Sequence, residues 1–449
     1  MSQNLKELSE TLIKKAKALG ATAAEATIAE NKALSIEVKN QRLEKIENSK
    51  TLDLGIRVFF DCKSACVSIS STNERALDEM VLRAIAMAKE ATPDEFSLPA
   101  DRDQILKSFN TKKFDLYDET HKNQSFETLK NLTLEMENAA LESKDVSQCE
   151  GAGFGSNYSN FHFSTSSGFS NGYKKTSFQL FCSAIAGTGL SMERDYASEG
   201  RTFFHDLPNA VSIGQLAANR AVEKLHPRRP STGSYPVLFD QRISNSLIGH
   251  LMSAINGASI ARGSSWLLNS INKKVLSDSL TLSEDPTRSR IPGSRPFDSE
   301  GLPTTKKNFI EEGLLKNYIL DLRSARKLKL KPLGNAYRSL SSTPQPGVGN
   351  LELSPSNDTL ENLIKNMKKG LLVTSLIGST INQNTGDYSR GANGFWIENG
   401  EIVFPVNECT IAGNLKEMLL DIIVANDGKP HLSKVIPSLL VKNMIVAGG

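Results

Sequence analysis

LDLGIRVFFDCKSACVSI, residues 52–69, alternates apolar and polar positions on both sides of a short turn. Leu52, Leu54, Ile56, Val58 and Phe60 share one side of an extended chain, and Ala65, Val67 and Ile69 resume the alternation after Asp61 to Ser64. A period of two buries one face of a strand and wets the other, so the stretch predicts an antiparallel hairpin with one covered face. Leu34, Ile36 and Val38 predict a further strand upstream. What covers the sheet is legible on either side. Leu5, Leu8, Leu12, Ala16 and Leu19 recur at helical spacing, with Gly20 placed to end the helix. Leu77, Met80, Val81, Ala84, Ile85 and Ala88 do the same behind Ser71-Thr72-Asn73-Glu74, which reads as a capping box.

The pattern then repeats. A helix through Leu129, Leu132, Met136 and Ala139 precedes aromatic-rich strands over residues 146–191 and a helix over 211–225, which predicts a duplicated structural unit. HPRRPSTGSYP, residues 226–236, concentrates proline and glycine between apolar segments and predicts a linker. A chain of 449 residues exceeds what one core serves. The expectation is an α+β protein. Residues 1–227 form an N-terminal domain of helices packed on a mostly antiparallel sheet, 228–236 a linker, and 237–449 a C-terminal domain of antiparallel strands with a few helices. In the latter, Asn399-Gly400 supplies a two-residue hairpin turn.

An apolar fraction of 39% with 23% charged residues is ordinary for a globular protein, and a net charge of +3 gives no strong field toward nucleic acid or a membrane surface. No apolar run has the length of a membrane span or a secretory leader, so the expected location is cytoplasmic. Five cysteines, with Cys62 and Cys66 the sole close pair, read as reduced thiols rather than a zinc site. GAGFG, residues 151–155, lies among strand-forming aromatics and lacks the helix a dinucleotide fingerprint opens. Lys327, Lys329 and Lys331 read as a strand edge protected by charge.

SNSLIGHLMSAINGASIARG, residues 244–263, predicts a helix with His250 at the border of its apolar face and a stripe of small residues, Ser246, Ser253 and Gly257, beside it. A helical zinc site of the protease kind needs a second imidazole one turn away and a carboxylate to activate water. Leu251, Met252, Ser253 and Ala254 follow His250, and none serves either role. His250 therefore reads as a hydrogen-bonded border residue.

TGDYSRGANGFWIENGEIVFPVNECTIAGNLKEML (385–419), RPFDSEGLPTTKKNFIEEGLLKNYILDLRSARKL (295–328), GNA (334–336) and LGIRVFFDCKSACVSIS (54–70) resemble, in order, the blocks of the TldD/PmbA family, also called modulators of DNA gyrase or metallopeptidases. The resemblance implies one of two branches paired as subunits of a cytosolic zinc protease. The TldD-like branch carries a helical His-Glu-x-x-x-His motif and a later cysteine ligand; the PmbA, or TldE, branch lacks them. Here the helix has His250 without a glutamate, and ANDGKPHL (425–432) has no cysteine, so His250 and Cys409 inherit no metal role. The implied chain is a PmbA-like subunit without cofactor of its own, acting on short or unfolded peptides beside a TldD-like partner that supplies zinc and the catalytic glutamate. Alone it would pair as a homodimer. A serine or cysteine hydrolase using His250 and a regulator of DNA gyrase are the alternatives. Within GDYSRGANGF, residues 386–395, two readings stay open. Either the glycines shape tight turns and Asp387 pairs with Arg390, or the loop and neighbouring strand edges grip an extended peptide. The candidate substrate-channel or interface residues are Asp387, Tyr388, Ser389, Arg390, Gly391, Asn393, Gly394, Asn414 and His250.

Overall fold

The computed structural model describes residues 4–122 and 124–448. Its first half runs α1 (Leu5–Ala18), β1 (Ala23–Lys39), β2 (Arg42–Phe60), β3 (Lys63–Ile69), α2 (Glu74–Glu90), α3 (Phe126–Leu141), β4 (Val146–Thr165), β5 (Ser170–Ala186), β6 (Glu193–Arg201) and α4 (Ala210–Glu223). These strands form one antiparallel sheet in the order β3-β2-β1-β4-β5-β6. Two helix–three strands–helix units thus meet at the β1–β4 pair, with their strand orders mirrored.

Ala24, Ala26 and Ile28 near one end of β1 and Ile36 and Val38 near the other are buried under the helices, as period-two patterning requires. Two cores result, one around Leu12, Ile28, Ile56, Val58 and Val81 and one around Met136, Phe154, Leu180 and Ala217. The hairpin expected at residues 61–64 is present, its turn narrowed to Asp61 and Cys62 because Lys63 and Ser64 already pair in β3. A longer one joins β1 to β2 through Asn40 and Gln41, both at positive φ. Ahead of α2 the cap sits two residues later than the pattern suggested, because the Asn73 side chain, rather than that of Ser71, accepts the Arg75 N–H.

The second half contains β7 (Gly233–Phe239), α5 (Gln241–Ala254), α6 (Gly257–Arg262), β8 (Leu282–Glu284), β9 (Lys307–Glu311), β10 (Leu314–Leu315), α7 (Leu322–Leu328), β11 (Ala336–Tyr337), β12 (Gln345–Pro346), β13 (Leu351–Leu353), α8 (Leu360–Met367), β14 (Gly370–Ile381), β15 (Asp387–Glu398), β16 (Glu401–Asn414), α9 (Leu415–Leu420), β17 (Ile423–Val424), β18 (Lys434–Val435) and β19 (Leu439–Ala447). The larger sheet runs β16-β15-β14-β7-β19-β17, and β16 pairs again with β19, so its long strands close on themselves around α5. A smaller sheet, β10-β9-β8-β13-β18, flanks it. Among the strands named here all pairs are antiparallel except β7–β14 and β13–β18. The chain is an α+β protein built mainly on antiparallel strands.

Three local expectations are corrected. Gly233 to Pro236, read as linker, already belong to β7. Lys327 lies in α7 and Lys329 is its left-handed C-cap, so the basic stretch is a helix end and not a strand edge. The helix expected over 244–263 is broken into α5 and α6: the Asn256 side chain caps Ala258 N–H, and the Gly257 N–H turns to the Ile319 carbonyl. A Cβ on Gly257 would meet that carbonyl at 2.7 Å, so glycine there permits the close backbone approach expected of the small-residue stripe.

Candidate functional site

In GDYSRGANGF only Gly386, at φ 87°, belongs to a turn. Residues 387–395 are the first part of β15, paired with β14 on one side and β16 on the other, so an extended peptide cannot add to them. Asp387 does not pair with Arg390. It accepts from Thr385 Oγ1 at 2.6 Å and Asn414 Nδ2 at 3.0 Å, while Arg390 Nε donates to the Gly378 carbonyl at 2.7 Å. Residues three apart on a strand point to opposite faces, which separates the two charges.

Strand alternation sorts the candidates. Tyr388, Arg390, Ala392 and Gly394 share one face of β15, and Ser389, Gly391 and Asn393 take the other, where Asp387 and Asn414 also sit. Gly394 is required by backbone crowding, since a Cβ there would overlap the Leu372 carbonyl of β14. Gly391 is less constrained, and neither has positive φ. Register shifts in β14 around Thr374 and Gly378 bend that strand across α5.

His250 of α5 meets the inner face of β15. Its ring stands edge-on to Tyr388 with centroids 5.8 Å apart, and its Nε2 is buried without a hydrogen-bond partner among the described residues. Burial first, and then the charge of Arg390, hold its pKa below the usual imidazole value. Tyr388 is 2% exposed, and burial pushes its phenol up to about 12. The sequence expectation that His250 is a hydrogen-bonded border residue therefore holds for its position but not for its bonding.

This environment does not suit a metal. One imidazole faces a phenol and a guanidinium, and a nearby cation opposes a second one. Among the described residues no group of three or more His, Cys, Asp or Glu is placed to hold a metal ion. Cys409 donates to the Ala392 carbonyl at 3.0 Å and burial raises its thiol to about 11. In the 425–432 stretch, Asp427 accepts from Ser438 and His431 bonds Glu199. Nor does His250 have a serine or cysteine hydrogen bond among the described residues, which a nucleophile–base pair needs.

Beside His250 opens a cleft of about 430 Å³ between the two halves of the chain, lined among others by Asn245, Ser246, Thr374, Arg390, Arg242 and Asp195. Asn245 Oδ1, Ser246 Oγ and Thr374 Oγ1 are buried there without partners among the described residues. Burial alone would raise the Asp195 carboxyl; Lys224 at 2.9 Å and Arg242 at 3.1 Å keep it below the usual range. Sequence reading missed Asn245, Thr374, Arg242 and Asp195, because they come from α5, β14 and β6 and carry no shared motif. Around the same cleft and its neighbours, Tyr196, Leu216, Ile402 and Val403 expose apolar surface.

Residues 24–88, 119–225 and 232–448 match domain 1, the central domain and the C-terminal domain of the PmbA/TldA metallopeptidases. The chain is 35% identical to the metalloprotease PmbA of Escherichia coli O157:H7, over 95% of this chain and 92% of that one. In Buchnera aphidicola subsp. Acyrthosiphon pisum it is similar to two proteins. One is a metalloprotease PmbA homologue, 32% identical over 92% of this chain and 91% of that one. The other is a metalloprotease TldD homologue, 27% identical over 58% and 51%. A crystal structure of a DNA gyrase modulator protein from Bacteroides thetaiotaomicron superposes with a TM-score of 0.92 at 26% identity, covering 99% of both chains. The order of its sequence blocks and the course of its backbone agree: this chain is a member of the PmbA/TldA metallopeptidase family.

Proposed function

We propose that this chain is the non-catalytic, PmbA-like subunit of a heteromeric cytosolic metalloprotease that processes short or unfolded peptides. The zinc and the water-activating glutamate belong to a TldD-like partner, and this chain contributes a wall of the substrate chamber. One observation carries the reading. The α5 helix presents His250 to Tyr388 and Arg390, and among the described residues no group of three or more His, Cys, Asp or Glu gathers there to hold a metal and activate water. Similarity to both a PmbA and a TldD homologue of one Buchnera strain supports the existence of paired chains. The apolar residues exposed around the α5 cleft suit a contact with another protein. A stable heteromer implies an interface of roughly 2,000 Å² or more.

Co-expression with a TldD-like protein from the same organism tests this. The two should co-purify, zinc should follow the partner, and chelator-sensitive peptide cleavage should require both. Stoichiometric zinc on this chain alone, or cleavage by it alone, would refute the assignment.

A further inference from the structure

The second face of the N-terminal sheet carries a different cavity, about 560 Å³, closed from above by the 292–299 and 336–340 segments. Its floor is odd-numbered positions of adjacent strands: Thr27, Ala29 and Asn31 of β1, Phe161 and Phe163 of β4, Tyr173 and Lys175 of β5. Aromatic rings dominate the wall, with Phe297 edge-on to Phe161 at 6.1 Å and to Tyr173 at 5.5 Å. The volume is that of a small-molecule site.

Charge around this cavity is unbalanced. Lys175, Arg295 and Arg338 line it against one carboxylate, Asp298. Asp298 is spent on the backbone N–H groups of Glu300, Leu302 and Ala336. Arg338 is committed to Glu25 at 2.6 Å. Lys175 has no carboxylate within ion-pair range among the described residues; its ammonium donates to the Pro292 and Ser294 carbonyls. Arg295 is 4% exposed, stacks over the Tyr337 ring at 3.8 Å and lies 3.6 Å from Glu284, which already accepts from Lys307, Asn335 and Gly349. Its Nε and Nη1 have no partner among the described residues. Unpaired donors on a buried guanidinium are costly, and a structure retains them where an anion or water completes the set. Removal from bulk water, then the Arg295 charge, draws the Lys175 ammonium down to about 7, so a bound anion would also relieve the repulsion between the two cations.

We infer that this cavity binds an organic monocarboxylate with an aromatic or branched apolar body, its carboxylate between Lys175 and Arg295 and its apolar part against Phe161, Phe163 and Phe297. One negative charge matches one free and one half-committed cation, and the rings exclude a heavily hydrated dianion. Such a group is found at the C-terminus of a peptide and in a free N-blocked amino acid. The site goes beyond the subunit reading and needs this chain alone, so its test does not depend on a partner.

Titration calorimetry of the full chain with N-acetyl-phenylalanine, N-acetyl-Ala-Ala-Phe, the matching C-terminal amides and inorganic phosphate decides it. Both free acids should bind, and tighter binding of the tripeptide identifies a peptide end while equal binding identifies a single residue. Lys175→Gln should weaken the acids about tenfold by removing charge, and Ala29→Leu by a comparable factor through lost volume, with circular dichroism unchanged in both. Amides or phosphate binding as well as the acids, no heat from either acid up to about 10 mM, or full affinity in both variants overturns the inference.

Discussion

At the scale of single residues, His250 shows how position and chemistry part company. The same helical border position that draws attention in the sequence is held by Tyr388 and faced by Arg390, and burial lowers the pKa of its imidazole. A histidine whose pKa is lowered by folding is protonated more readily in the unfolded chain, so stability falls as pH drops below the unfolded value of about 6.5. Urea melts at pH 7.5 and 5.5 should therefore show a smaller acid loss for His250→Asn than for the parent chain. Some loss should persist, because burial also lowers His121, His162 and His431. Gly394 gives a sharper test. Its missing Cβ is what lets β15 pass the Leu372 carbonyl, and Gly394→Ala should cost about 3 kcal/mol or prevent folding, read as a lower denaturation midpoint.

At the scale of elements, α5 buries Leu247, Ile248, Leu251 and Met252 in the C-terminal core and leaves the other side open. Nothing lies within 4 Å of where a Gly249 Cβ would stand. Gly249→Ala should thus raise stability by about 0.5–1 kcal/mol, measurable as a higher Tm, because alanine loses less backbone entropy in a helix. If the subunit reading is right, a bulky Gly249→Trp should keep the fold yet weaken co-purification with the TldD-like chain. The β14 bulges tell a related story. Alternation in SLIGSTI, residues 375–381, does not reveal where the strand slips relative to β15, because a bulge depends on the partner strand.

At the scale of the molecule, the two halves are joined by buried charge as well as by contact. Glu25 of β1, 1% exposed, meets Arg338 from the C-terminal half at 2.6 Å and Arg57 of β2 at 3.8 Å. Replacing Glu25 with Gln strands two guanidinium groups in a buried site and should cost about 3–5 kcal/mol. Limited proteolysis should then cut first between the halves, near residues 226–232, if this contact holds them together. Segment 94–105 adds a second tie, where Arg326 donates to the Leu98 and Pro99 carbonyls and Ala100 packs against Leu302 and Leu322.

The sequence alone determined what depends on local spacing. Period-two runs placed β2 and β3, helical periods placed α1 to α4, and Asn399-Gly400 placed the β15–β16 turn at φ values of 52° and 79°. Tertiary structure decided everything that joins distant segments. It made residues 387–395 part of a doubly paired strand, set Asp387 against Asn414 instead of Arg390, broke the 244–263 helix on the Ile319 carbonyl, and brought Lys175 beside Arg295 across 120 residues of chain. Spacing along a chain fixes which face a side chain takes; which partner waits on that face is set by closure of the sheets, and no local pattern encodes it.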